Sequence, residues 1–292
     1  MAAPDNRAGV LAMVAAVACF TSTDVLMKKA TEELAVSQVL ALRGVVAVLL
    51  VFLFLRAVGG LSHPRFLLHP RVLVRSGLET AMILAYVSAL KRAPFADVFS
   101  ILQSAPILVT AYAAAFRGER VGLSRWAAVL LGFAGVLLIA RPSPTHFEPA
   151  MGLALLAVVF VTGRDIATRA VPPHIPSQMV TLATTMGSMT AGFLLAPVET
   201  WRAPSQEAWL LLAAAGLAVA LGNYAIIQAY RLAEMSVVSP IRYVGVPVAI
   251  VLGYLVWGQT PDALALAGIV VLVSAGVYMV RGEARRKSPA AR

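Results

Sequence analysis

Residues 117–140 read RGERVGLSRWAAVLLGFAGVLLIA, and residues 257–280 read WGQTPDALALAGIVVLVSAGVYMV. In each, a short polar stretch leads into an apolar run approaching the ~20 residues that a membrane-spanning helix needs. Each run carries the same triplet, Ala134-Gly135-Val136 and Ala275-Gly276-Val277. Working outward, the likeness continues at nearly one offset. Ala89-x3-Ala93-x4-Val98 recurs as Ala229-x3-Ala233-x4-Val238, Pro106 as Pro247, Ser37-Gln38 as Ser177-Gln178, and Asp24-x3-Lys28 as Asp165-x3-Arg169. Five matches in order mark two copies of one unit, residues 1–145 and 146–292.

The rest of the chain supplies the other spans. With 60% apolar and 13% charged residues over 292 positions, it lies far from a soluble domain, in which about 45–50% are apolar and about 25% charged. Soluble enzymes, disordered chains and secreted disulfide modules are excluded. Ten candidate spans run roughly 8–28, 36–55, 72–90, 94–116, 124–140, 150–170, 177–198, 208–232, 236–257 and 261–280. The expected fold is therefore an all-α integral membrane protein of ten transmembrane helices. Five spans per copy is an odd number, so the second copy enters the bilayer inverted. Inverted repeats are an architecture of secondary transporters, because one scaffold then has two interchangeable arrangements.

Basic residues set the orientation. With a cytoplasmic N-terminus, fifteen Lys and Arg fall on the cytoplasmic side, among them Arg56, Arg65, Arg71, Arg75, Arg117, Arg120 and Arg285, against six on the other. Positive segments stay inside, so both termini are expected in the cytoplasm of a multi-pass inner (plasma) membrane protein. This also accounts for the net charge of +10 without a nucleic-acid partner. The lone Cys19 excludes an internal disulfide.

Ionisable residues inside a span are expensive and usually face a partner or a watered cavity. Glu79, Arg164, Asp165 and Arg242 fall towards the cytoplasmic side, and Asp24, Asp97 and Arg43 in the outer third. Between these layers lies a neutral polar and aromatic zone. Glu79, Met82 and Tyr86 share a face of helix 3 by their i, i+3, i+7 spacing. Gln103 on helix 4, Asn223 on helix 8 and Tyr243 on helix 9 complete the candidate substrate pocket. Asp24 with Lys28, and Asp165 with Arg169, are counterparts at opposite faces and candidate gates. Arg164–Asp165 and Glu79–Arg242 are candidate ion pairs, with structural and functional roles both open. Pro106 and Pro247 remove helix hydrogen bonds and are hinge candidates. Glycines on helices 5 and 10 are read first as close packing and second as a dimer face, so a monomer is expected with a dimer left open.

The ten spans, the two five-span halves, Pro106 and Pro247, and the two stretches quoted first together resemble the drug/metabolite transporter superfamily, EamA type. The resemblance covers essentially the whole chain, and within the family the chain looks most like the YddG-type exporters. Gly118-Glu119 keeps the family's Gly-Glu pair, while Gly258-Gln259 departs from it. What the resemblance implies is export of small metabolites, aromatic or other hydrophobic amino acids first, by alternating access. A nucleoside, sugar-phosphate or drug-like cation carrier is the alternative, and an intramembrane lipid-modifying enzyme a more distant one.

Several chemistries are missing from the sequence. All four histidines, His63, His69, His146 and His174, fall in loops, so no zinc-protease motif exists. There is no phosphate loop or dinucleotide fingerprint. No cofactor, metal or catalytic residue is expected. The expected partners are a small-molecule substrate and the lipid bilayer, and the drive is a solute or ion gradient rather than ATP.

Overall fold

The computed structural model describes residues 6–57, 64–105, 107, 108, 112, 123–140, 148–172, 174–232 and 239–287. Among the described residues ten α-helices follow in order, with no strand. They are α1 (Asn6–Glu33), α2 (Val36–Ala57), α3 (Pro70–Leu90), α4 (Phe95–Leu102), α5 (Leu123–Ala140), α6 (Pro149–Ala170), α7 (Ser177–Leu194), α8 (Gln206–Leu232), α9 (Gly245–Trp257) and α10 (Ala263–Lys287). Short 3-10 turns at Pro64–Leu68 and Ser239–Val244 precede α3 and α9. Segments Arg7–Glu33, Val36–Ala57, Pro70–Leu90 and Pro149–Thr168 are each long and apolar enough to cross a membrane. Outward-facing Leu49, Leu53, Leu130, Leu131, Leu210 and Leu255 are all more than half exposed. Such a belt is costly in water and suits lipid.

Local chemistry sets most boundaries. Pro70 occupies the first turn of α3, where its missing N–H costs nothing, and His69 Nδ1 accepts from the Arg71 N–H at 3.3 Å. At the end of α9, Gly258 takes φ 63°, and its N–H donates to the Tyr254 carbonyl at 2.8 Å. That left-handed cap is cheap only for glycine.

Two expected spans need correction. The helix expected over 94–116 is not continuous, since α4 ends at Leu102 and Gln103 caps it. A proline at 106 offers no N–H to the Leu102 carbonyl four residues back, and its ring crowds that oxygen. Pro106 itself lies outside the described residues. The helix expected from 236 becomes α-helical only at Gly245, after the 3-10 turn. Pro247 therefore sits in the first turn of α9, where no helical bond is lost. The broken bond that made it a hinge candidate is absent, and a 3-10/α junction stands there instead.

In lipid, apolar side chains gain little by leaving one helix surface for another, so tight fit must hold the bundle. The helices pack as α1 on α8, α3 on α6, α2 on α7, α5 on α10 and α4 on α9, with further contact of α3 with α7 and α2 with α8. A buried cluster including Met27, Leu40, Tyr86, Phe95, Ile101, Val158 and Leu212 runs through the interior. At α5–α10, a Cβ on Gly135 would lie 2.7 Å from the Gly268 carbonyl oxygen, and one on Gly268 equally close to that of Gly135. The two backbones are in direct contact.

Candidate functional site

Take the near end of the bundle as the end where α1 begins, and the far end as the one where it finishes. The far end is tied by the last turns of α1. Lys28 is only 6% exposed. Its Nζ donates to the carbonyls of Leu90 at 2.6 Å and Ala93 at 2.5 Å. The first is at the C-terminus of α3, where carbonyls lack helical partners and the dipole favours a cation, and the second lies in the short connection to α4. Lys91 returns the favour, donating to the Leu34 carbonyl just past α1 at 3.1 Å. Lys28 also lies 5.3 Å from the centre of the Trp257 ring at the end of α9, and the Trp257 indole donates to Glu32 at 2.5 Å. The start of α2 joins this layer. Gln38 donates to the Arg202 carbonyl at 2.6 Å, and Ser37 Oγ accepts from Trp201 at 2.9 Å.

A second polar layer lies towards the near end, between α3, α6 and α7. Arg164 Nη1 donates to Glu79 Oε2 at 2.9 Å, and its Nε and Nη2 reach Asp165 Oδ1 at 2.9 and 2.6 Å. Arg75, one turn before Glu79, approaches the same carboxylate at 3.7 Å. It also donates to Thr168 at 3.3 Å and to Thr184. Arg71 donates to the Ala170 carbonyl at 2.9 Å. Two carboxylates and two guanidiniums thus neutralise one another at the junction of three helices, as burial in a bundle requires.

Between the layers the Tyr86 hydroxyl donates to Asp24 Oδ2 at 3.2 Å. Asp24 lies nine residues from the end of α1, about 13 Å deep. Met82 and Tyr86 are both buried in the core. Arg43, seven residues into α2 and about 10 Å deep, is buried as well. Its Nε has no hydrogen-bond partner. Asp24 and Glu79 act on it only through space.

Several expected sites come together, in partly different pairs. Tyr86 meets Asp24. Lys28 joins backbone carbonyls and Trp257 rather than Asp24, although the two residues are one turn apart. Arg164–Asp165 is paired as expected, and Glu79 is held by Arg164 and Arg75. Gln103 is half-buried at the C-cap of α4. Tyr243 is buried in the turn before α9 and seats over Gly276 of α10, in space a Cβ there would fill. The side chains of Asn223, Arg169 and Arg242, with Gly118 and Glu119, lie outside the described residues. Gln259 accepts from the Phe95 N–H at 3.3 Å, at the start of α4. From sequence Arg75 counts only among the cytoplasmic-side cations. Its i, i+4 spacing to Glu79 is the signal that identifies it.

Comparison with known proteins fixes the family. The model of the EamA-like transporter family matches the chain twice, over residues 7–141 and 149–282. The pseudopaline exporter CntI of Pseudomonas aeruginosa is 28% identical over 278 residues, covering 94% of this chain and 96% of that one. The riboflavin transporter of Vibrio cholerae is 30% identical over 64% of this chain and 63% of its own length. The S-adenosylmethionine uptake transporter of Rickettsia felis is 24% identical over 82% and 81%. A solved crystal structure superposes with a TM-score of 0.66 at 20% identity, covering 96% of this chain and 99% of that one, and so shares the fold. The chain therefore belongs to the EamA-like transporter family of the drug/metabolite transporter superfamily. It is a multi-pass membrane transporter of small metabolites, not an enzyme. None of these relatives is named for aromatic amino acids, so the closer likeness to YddG-type exporters gains no support from them.

Proposed function

We propose that this EamA-like transporter exports a small organic solute, an amino acid with an aromatic or other hydrophobic side chain, across the inner membrane by alternating access. The observation that carries the reading is the pair of polar layers at the two ends of the bundle, each built from ionisable residues inside helices. The far layer holds Lys28, with Asp24 on its inner side against Tyr86, and the near layer holds Glu79, Arg164 and Asp165. On this reading the two layers are alternating locks, with Arg169 and Arg242 assigned to the near one from sequence. The solute sits between them, against Glu79, Met82, Tyr86, Gln103, Asn223 and Tyr243. The termini and the near end are cytoplasmic, and the segment around Pro106 is a hinge.

Helix packing supports two inverted units, 1–145 and 146–292. Exchange each helix for the one five places away and the most extensive contacts repeat. α1–α8 becomes α6–α3, α1–α9 becomes α6–α4, and α2–α8 becomes α7–α3, while α2–α7, α4–α9 and α5–α10 map onto themselves. The two family matches fall on the same halves.

The test is solute exchange in liposomes containing only this protein. Vesicles loaded with phenylalanine should accumulate labelled phenylalanine. A second reading, a carrier of another metabolite class, draws on the relatives named for riboflavin and S-adenosylmethionine. Exchange of either of those with none of phenylalanine would establish it and remove the amino-acid reading.

The locks predict opposite labelling. In a Cys19→Ala background carrying Met82→Cys, Lys28→Ala should raise thiol labelling from the far side and lower it from the near side. Asp165→Ala should do the reverse. Identical labelling in all three proteins would leave these charges as helix caps and ion pairs without a gating role.

A further inference from the structure

The near and far layers satisfy their charges internally, and Arg43 does not. It is 5% exposed, its Nε is buried without a hydrogen-bond partner, and among the described residues it forms no ion pair. A guanidinium presents five donors in a flat fork that fits a carboxylate. A fork left open inside a membrane bundle is costly unless something outside the chain completes it.

Its surroundings point the same way. Arg43 lies on α2 where α1, α2 and α3 meet, and the charges of Asp24 on α1 and Glu79 on α3 act on it through space. On α1, Thr21 lies one turn before Asp24 on the same face. Its buried hydroxyl also has no partner, whereas Thr23 bonds back to the Cys19 carbonyl at 2.9 Å. Behind Arg43, α2 is fixed in place, since a Cβ on Gly192 of α7 would lie 2.5 Å from the Ala41 nitrogen and one on Gly44 2.7 Å from Met189 Cβ. The cation is thus presented from a rigid helix. The fold does not need a charge at this register. Counting from the shared Ser-Gln pair, the counterpart of Arg43 in the second half is Ala183, also buried.

We propose that Arg43 receives the carboxylate of the transported solute, with the Asp24–Tyr86 pair facing its cationic group, so that the carrier selects zwitterions bearing a free carboxylate. This rests on the amino-acid reading and adds to it the residue that distinguishes an acid from its amide. A bidentate guanidinium–carboxylate pair is among the stronger polar contacts, so its loss should change apparent affinity by about tenfold or more.

The experiment compares labelled phenylalanine with phenylalaninamide in exchange-competent liposomes, using the whole protein and its Arg43→Gln and Arg43→Lys variants. The wild type should take up phenylalanine with a KM about tenfold or more below that for the amide. Arg43→Gln should raise the KM for phenylalanine to that for the amide and leave the amide unchanged. Arg43→Lys should fall between. The melting temperature of Arg43→Gln should change little, because no hydrogen bond or ion pair within the described residues is lost. An equal loss of both probes, a wild type that treats acid and amide alike, or an Arg43→Gln variant that fails to fold would each overturn the proposal. A wild type that carries neither probe would instead remove the amino-acid reading on which it stands.

Discussion

Replacing Arg164 by Ala is expected to cost the protein about 3–5 kcal/mol, the usual penalty for stranding a buried charge. Arg164 serves two carboxylates, Glu79 at 2.9 Å and Asp165 at 2.6 Å. Its removal leaves both anions inside the bundle, and among the described residues the remaining salt-bridge partner is Arg75, 3.7 Å from Glu79. Glu79→Ala should cost less, since Arg164 keeps Asp165 and Arg75 keeps Thr168 and Thr184. Asp165→Ala should cost least, because its side chain is 35% exposed, about twice the 16% of Arg164, and solvent screens such a charge. The double variant Glu79→Ala/Arg164→Ala should be more stable than the sum of the single losses implies, since the stranded anion is gone. Denaturation of detergent-solubilised protein gives all four values. Were Asp165→Ala the most damaging of the three single changes, the near layer would not be centred on Arg164.

The rank order shows why the near layer was only half legible in the sequence. Glu79, Arg164 and Asp165 stand out because each interrupts an apolar run. Arg75 lies near the edge of its run and reads as one more cytoplasmic-side cation, although the i, i+4 spacing to Glu79 is present. Lys28 was harder still. Its partners are the carbonyls of Leu90 and Ala93, more than sixty positions away, and no side-chain pattern encodes a backbone oxygen. What the sequence offered instead was Asp24 one turn earlier, a pairing that the structure replaces with Tyr86. Arg43 was visible as a charge in a span, but being unpaired is a property of three dimensions.

The helices were easier. Hydropathy placed most of them within a few residues because lipid allows so few alternatives to a helix with all its backbone bonds made internally. Both corrections occur at prolines. The end of α4 at Leu102 follows from Pro106 by the four-residue rule. The 3-10 turn before α9 does not follow from Pro247, which sits inside the helix and breaks nothing. Within that turn Tyr243 is seated against Gly276 of α10, a contact between distant parts of the chain.

That same α10 carries the second large effect. Gly135→Leu should separate α5 from α10 and destabilise the protein by about 1–3 kcal/mol or more, the range for overpacking a tight interior. The reason is geometric. The first added atom would lie 2.7 Å from the Gly268 carbonyl oxygen and 3.0 Å from the Leu272 nitrogen, and backbone cannot step aside as a side-chain tip can. Gly135→Ala should already be unfavourable, although alanine is the better helix former by about 1 kcal/mol. Gly77 on α3 is the control, since a Cβ there meets nothing within 4 Å. There the propensity gain stands alone, so Gly77→Ala should be neutral or stabilising. Melting temperatures in detergent measure all three changes, and size-exclusion chromatography separates packing from assembly. If the glycine face joined two copies of the chain, Gly135→Leu would shift a dimer to monomer and leave the monomer's melting temperature intact. Packing within one chain requires the opposite, an unchanged elution volume and a lower melting temperature.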